Sequence, residues 1–373
     1  MSEEYDVAVV GAGPAGSSAA RAAAAAGLRV LLVDRAAFPR YKTCGGGLIG
    51  PSLRSIASLP GLPVRADVTR CDFTFRGGPA IVREDRAPVI RTVVRSEFDS
   101  WLVEAAVEAG AEFRDGCAVR SAVPSPDRVD LTTSHGRVRA RTVVAADGAS
   151  GRLSRLVGVE VERVDLGLEL ELAAPPEVAG RWDGRIHLDW GPLPGSYGWI
   201  FPKGDTLTVG VIAARGHGEA TRRYLRDLVG RHGLDGLPVV QDSGHLTRCR
   251  SASSPVAAGR ILAVGDAAGL LEPWTREGIS FALRSGALAG AACASGDPAH
   301  TYRAGLEEEL LPEMTAGERC LQAFERRPRA FHELIARTPM GWRGFVRLAS
   351  GDTTLARALR HRSVRVGLGL LSR

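Results

Sequence analysis

The chain has 373 residues, is 45% hydrophobic and 24% charged, and carries a formal net charge of +6. That is globular composition at more than one typical domain length, which excludes a disordered or fibrous protein. Its 45 glycines show no Gly-x-y period, which rules out a collagen-like chain.

Asp6–Val10 is a short apolar run of β-branched type and reads as a buried strand. Gly11-Ala-Gly13-Pro-Ala-Gly16 follows directly, then an alanine-rich helix to about Ala26 that Gly27 stops. Arg29–Val33 is a second buried strand ending in Asp34, which completes a βαβ unit with a helical crossover. Residues 95–109 carry Phe98, Leu102, Ala105 and Ala106 on one helical face. Between Ala118 and Ala146, alternating segments broken at Pro124-Ser-Pro126 and His135-Gly136 predict a β-meander. Its last strand delivers Asp147-Gly148 to a C-terminal end.

Leu166, Leu168, Leu170 and Leu172 alternate with Gly167, Glu169 and Glu171, which predicts a half-buried antiparallel strand. Ile186, Leu188 and Trp190 repeat the period, as do Leu207, Val209 and Val211. Ile261–Val264 returns as a buried strand tipped by Gly265-Asp266, a helix starts near Gly278, and helices follow from Ala299. The order predicts an α/β fold. A discontinuous Rossmann-like dinucleotide domain occupies 1–160 and 246–298. An inserted antiparallel β domain takes 161–245 with further pieces within 50–95, and a helical region takes 299–373.

The first glycine cluster has a mechanism. Gly11 allows a tight turn, Gly13 lets backbone approach a pyrophosphate, and Gly16 permits close helix–strand packing, with phosphates at the positive helix end. Asp34 is placed to accept from a ribose hydroxyl. Gly45-Gly-Gly47-Leu-Ile-Gly50 matches the same spacing but follows no strand, so it is not a second nucleotide site.

Asp147-Gly148 and Gly265-Asp266 each cap a buried strand, as contacts to one long cofactor from several directions require. Together with Gly11–Gly16, they resemble the motifs of the FAD-dependent family that includes aromatic hydroxylases and geranylgeranyl reductases. The resemblance covers most of the chain and implies FAD, held by Gly11, Gly13, Ala15, Gly16, Asp34, Arg35, Val119 and Asp147. It also implies that Gly265 and Asp266 meet the ribityl chain, and that Gly278 and Ile279 meet pyrophosphate or ring. Arg95-Ser-Glu-Phe98-Asp99 is similar to an Arg-x-x-Phe-Asp element whose arginine lies near the flavin.

Two segments resemble the geranylgeranyl reductase branch. Lys42-Thr-Cys44-Gly45-Gly is similar to its Lys-x-Cys-Gly-Gly element, which puts a cysteine near the isoalloxazine. Tyr197-Gly-Trp199-Ile-Phe201-Pro202 is similar to its Tyr-x-Trp-x-Phe-Pro element, which lines a prenyl pocket; Trp190 is a further candidate for that lining. Two positions depart from the pattern: Gly210-Val-Ile212 keeps half of a Gly-x-Gly, and Arg276 replaces a glycine before Glu277-Gly278. From the residues alone, Cys44 is either catalytic or an inert thiol, and the aromatic face is either pocket or core.

The expected activity is reduction of isolated carbon–carbon double bonds in a prenyl or other lipid-like natural product. No carboxylate stands out as the acid, which leaves Cys44 or a bound water. A flavin monooxygenase is the alternative, and a prenyl-binding escort protein is the remote one. With no second nucleotide motif, NAD(P)H binding transiently or a protein donor is expected to reduce the flavin.

The six cysteines form no metal-ligand or disulfide pattern, so no metal is expected. From Arg326 to Arg373 there are eleven arginines against Glu333 and Asp352, so the rest of the chain is net acidic. That balance argues against nucleic acid and suggests peripheral membrane contact through the C-terminal arginines. No apolar run nears the roughly 20 residues of a spanning helix, and the acidic start is unlike a signal peptide, so a cytoplasmic protein is expected.

Overall fold

The computed structural model describes residues 3–362, 364, 365 and 369. Strand Glu3–Val10 lies at the centre of the first sheet, parallel to Val30–Val33 on one side and to Gly136–Ala145 on the other. Helix Pro14–Ala25 makes the crossover. Ile261–Ala263 joins in parallel beside Gly136–Ala145 although 115 residues of sequence separate Ala145 from Ile261, so the sheet is assembled from distant pieces. Val119–Pro124 and Val129–Thr133 form the expected meander leading into Gly136–Ala145.

The second sheet has seven strands, in the order Val239–Arg250, Val161–Ala173, Thr206–Ala214, Tyr197–Pro202, Arg185–Trp190, Arg70–Phe75, Ile81–Glu84. The strand after residue 238 runs on to Arg250, because its pairing with Val161–Ala173 continues to Val161↔Arg250. One face of this sheet packs Leu168, Leu172, Val209 and Val211 against Tyr224, Leu225 and Leu228 of helix Gly218–Arg231. The leucine period marks this face. The opposite face, which carries Glu169, does not meet solvent: it looks toward the first sheet, and Glu169 is only 3% exposed.

The C-terminal helices close the gap at the far end. Phe324 of Leu311–Arg326, with Phe331, Ile335 and Trp342, joins Phe73, Ile186 and Trp190 of the second sheet in one apolar cluster. No helix among the described residues is long and apolar enough to cross a membrane.

Helices Pro14–Ala25 and Ile279–Ala292 touch backbone to backbone. A Cβ on Gly286 would lie 2.0 Å from Ala15 O, and one on Gly290 would lie 2.2 Å from Ala19 O. Gly286→Val is therefore expected to cost roughly 1–3 kcal/mol through overpacking, read as a lowered Tm by circular dichroism. An unchanged Tm would show that the two helices are free to part.

Candidate functional site

One continuous cavity of about 2360 Å³ runs between the two sheets and the C-terminal helices. A single small ligand fills ~300–1,000 Å³, so this space takes a dinucleotide and a second molecule together.

Gly11, Gly13, Ala15, Asp34, Arg35, Val119 and Asp147 line its polar end. Gly11 adopts φ +103°, and a Cβ there would meet Ala146 O at 2.2 Å, so the turn depends on glycine. A Cβ on Gly13 would meet only Arg40 Nη2, at 3.3 Å, which leaves that backbone open on the cavity side. Gly16 and Gly265 do not face the cavity; their missing side chains let Gly16 pack on Gly11 O and Gly265 on Ala15. Helix Pro14–Ala25 starts without a side-chain cap, so its positive end is open to an anion, whereas the first turn of Ile279–Ala292 is already engaged by Glu277, which accepts from Ser280 N–H at 2.7 Å.

Asp34 accepts from the backbone N–H groups of Ala12 at 2.8 Å and Ala36 at 2.9 Å, which holds the glycine turn in place. Each carboxylate oxygen keeps a further lone pair for a hydroxyl. Asp147 Oδ2 accepts from Arg152 and Leu153 N–H, while its Oδ1 is buried without a partner among the described residues. Burial pushes this carboxyl up. Asp266 lies 3.5 Å from His245 Nε2. Burial works against its charge, yet His245, Lys42 and Arg95 together hold the carboxyl below the ordinary value. Arg95 forms a bidentate pair with Asp99, both bonds 2.9 Å, and Arg40 bridges Asp99 at 3.1 Å to Asp34 at 3.7 Å. Burial disfavours the charge on Arg95, but Asp99 and the Cys44 thiol outweigh it. The uncapped start of helix Pro14–Ala25, the open Gly13 backbone and the orphaned Asp147 oxygen fit a dinucleotide diphosphate and its sugar.

The glycine-rich segment after Lys42 lies across the second sheet. Cys44 and Gly45 line the cavity, and the Cys44 thiol accepts from Gly46 N–H at 3.4 Å. A Cβ on Gly45 would reach Trp199 Nε1 at 2.9 Å, and one on Gly47 would reach the Phe201 ring at 2.9 Å. These glycines serve close approach to aromatic rings rather than a turn between a strand and a helix. Gly210 has the same logic: a Cβ there would lie 2.1 Å from the Trp199 ring. Only one glycine is needed under the indole, and Ile212 at the second position lines the cavity.

Tyr197, Trp199 and Phe201 do share the cavity face, with Trp190 beside them. Phe331, Leu334, Ile335, Phe345, Leu348 and Leu355 complete the apolar lobe from the C-terminal helices.

Between the lobes stands a carboxyl that sequence reading left in the strand pattern. Glu169 shares a row with Gly210 and Trp199 across three strands, and its Oε2 has no partner among the described residues. Burial pushes its carboxyl up to about 7, although Lys203, Lys42 and the Cys44 backbone N–H all lower it. Lys203 is itself tied to Glu171 at 3.1 Å and to Cys44 O at 3.3 Å. Burial lowers the Lys42 ammonium. His245, on strand Val239–Arg250, faces Asp266. Neither residue belongs to a local motif; only strand register brings them to the site.

A FAD binding domain family model matches residues 4–173. The chain is 35% identical to digeranylgeranylglycerophospholipid reductase 1 of Methanopyrus kandleri, over 77% of this chain and 80% of that protein. It is 31% identical to geranylgeranyl diphosphate reductase of Rhodobacter capsulatus, over 82% and 81% of the two chains. The solved structure of a geranylgeranyl bacteriochlorophyll reductase-like protein from Thermoplasma acidophilum matches with a TM-score of 0.83, at 21% identity, over 100% of both chains.

The purified protein is expected to be yellow with about one FAD. Gly13→Val is expected to abolish FAD while leaving Tm close to that of wild type stripped of FAD, since its side chain meets almost no protein. Asp266→Ala is expected to weaken FAD by about 1.5–3 kcal/mol, as loss of a charged hydrogen-bond partner, measured by flavin release on dilution. Full FAD content in the valine variant would remove Gly13 from the phosphate turn.

Proposed function

The chain belongs to the geranylgeranyl reductase family of FAD-dependent oxidoreductases, and we propose that it reduces isolated carbon–carbon double bonds in a prenyl chain. The observation that carries this reading is the continuous cavity, polar at the glycine turn and apolar from Trp199 to the C-terminal helices. A monooxygenase acting on a phenol or ketone benefits from hydrogen-bonding groups along its substrate. Here most of the far lobe is aromatic and aliphatic.

When bound, reduced FAD supplies the hydride. The chain supplies the rest. Trp199, Phe201 and the C-terminal helices exclude water, so that an unactivated alkene meets a proton donor in a dry site. Burial pushes both Glu169 and Glu277 of this cavity up to about 7, but Glu277 is engaged by Ser280 N–H and Ser52, so Glu169, with a free Oε2, is the carboxyl suited to that role. Its O–H bond breaks as the second C–H bond of the product forms, and solvent then returns a proton to the carboxylate. Cys44 borders the same junction and is assigned to the flavin side. NAD(P)H or an electron-carrying protein restores the reduced flavin.

Anaerobic incubation of reduced enzyme with a prenyl lipid is expected to give a product two mass units heavier per turn. A product formed only in air, and sixteen units heavier, would replace this reading with oxygenation. The reduction rate is expected to fall as pH rises through about 7, where Glu169 loses its proton. Glu169→Gln is expected to lose that dependence along with roughly 10²–10⁴-fold in rate, and to lose a carboxyl infrared band titrating near 7. Cys44→Ala is expected to keep FAD but turn over more slowly. An alanine variant with unchanged rates would return Cys44 to the inert thiols.

The arginine-rich end is assigned to an anionic membrane surface, from which a lipid substrate enters. At the mouth of the cavity Met340 is 74% exposed, and Arg343 and Arg347 stand one helical turn apart beside it. Arg373, counted with this cluster, lies outside the described residues. Each arginine near such a surface contributes ~1 kcal/mol, so Arg343→Glu with Arg347→Glu is expected to release the protein from anionic vesicles in co-sedimentation. Indifference to vesicle charge would rule the surface out.

A further inference from the structure

A site dry enough to protect an alkene also cuts its acid off from water. Glu169 is 3% exposed, and its Oε2 has no partner among the described residues. On the reductase reading this carboxyl gives up a proton in each turn, while flavin and prenyl chain fill the two lobes beside it. The replacement proton has to come through the wall rather than along the cavity.

Strand register shows where that wall is thin. Glu169 pairs with Gly210 on one side and with Ser243 on the other. Directly opposed residues project to the same face, with Cβ atoms roughly 4.5–5.5 Å apart. Ser243 belongs to Val239–Arg250, the outermost strand of the seven-stranded sheet, so no further strand covers it. The segment before Cys44 lies over this edge. The Tyr41 and Ser243 hydroxyls are 2.8 Å apart, and Thr43 Oγ1 donates to Ser243 Oγ at 3.0 Å. Tyr41 is 46% exposed, so the hydroxyls run from water to the residue opposite Glu169.

A hydroxyl accepts twice and donates once. When Tyr41 and Thr43 both donate to it, Ser243 has its lone pairs filled and its own O–H left to give. The other charged groups around Glu169 are engaged elsewhere. Lys203 binds Glu171 and Cys44 O, Glu171 also accepts from Thr208, and Lys42 donates to Thr43 O at 3.4 Å. Burial, with the charges of Glu169 and Glu171, raises the Tyr41 phenol, which therefore keeps a proton to pass on.

We propose that Tyr41 and Ser243 form a proton relay that reprotonates Glu169 from solvent between turnovers. A solvent proton joins the Tyr41 oxygen as the Tyr41 proton passes to Ser243 and the Ser243 proton passes to the Glu169 carboxylate. Each O–H bond broken is replaced by one formed, so both hydroxyls end as they began. The last hop crosses the strand gap through a turn of the serine hydroxyl or one bridging water. The relay rests on Glu169 being the acid of the reductase reading, but its rate is read without substrate.

In the oxidised FAD protein, protons released from a caged acid by a light pulse are followed into the Glu169 carboxyl infrared band, assigned by its loss in Glu169→Gln. Ser243→Ala is expected to slow the growth of that band roughly tenfold or more, and Tyr41→Phe to slow it comparably. Ser243→Thr, which restores a hydroxyl, is expected to recover most of the rate. Thr43→Val loosens the same loop but leaves the relay, and is expected to stay near wild type. In turnover of Ser243→Ala, the first reduction by protonated enzyme is expected within about twofold of wild type, and later ones slower. An unchanged band rate in either Ser243→Ala or Tyr41→Phe, or equal slowing in Thr43→Val, would overturn the relay. Wild-type relay kinetics with no reduction of any prenyl lipid would sink the reductase reading and leave the relay standing.

Discussion

The structure depends on how closely the segment Cys44–Gly47 approaches the aromatic strand Tyr197–Pro202. Side chains at Gly45 or Gly47 would drive that loop off Trp199 and Phe201, and one at Gly210 would lift Trp199 from the sheet. The absence of three Cβ atoms therefore narrows the junction between two lobes of opposite polarity in one cavity. The polar lobe needs open N–H groups and charge; the apolar lobe needs water kept out. Without the contact, water from the polar lobe would reach the apolar one.

Charge near that junction is buried in ion-paired sets. Arg95, Asp99, Arg40 and Asp34 form one chain, Lys203 and Glu171 a pair, and Arg163, Arg276, Asp165 and Glu325 another set. Buried pairs of this kind do little for net stability after desolvation, but removing one partner leaves the other uncompensated. Their worth here is positional. The first set locks the glycine turn through Asp34 to the helix that carries Arg95, so turn and helix present one fixed surface to the cofactor.

Local motifs made the polar lobe legible. A glycine turn, its acid and two strand-end Asp residues must lie at fixed offsets in sequence, because tight turns and helix starts are local structures. The leucine period likewise exposed strand Val161–Ala173, but it could not show that the acidic face was roofed over. That roof is a loop more than a hundred residues earlier, so Glu169 read as half of an ordinary alternation. His245 and Ser243 were hidden for the same reason, since only the register with Val161–Ala173 gives them a neighbourhood. The arginines after residue 326 suggested a surface, while the apolar positions between them wall the cavity.

An apolar tunnel is a poor ruler. Burial gives roughly 25 cal/mol per Å² wherever the chain sits, and successive isoprene units bury nearly equal areas, so sliding by one unit changes little. A reductase that must bring a chosen double bond to one point therefore needs register from something other than hydrocarbon contact. Polar atoms supply it, because an unpaired donor in a dry wall makes every misaligned position costly. In this cavity such donors are few and lie on the second sheet and the loop before helix Ile279–Ala292, close to the junction rather than at the mouth. On the proposed reading, a substrate enters past Arg343 and Arg347, and the buried polar atoms set where it stops.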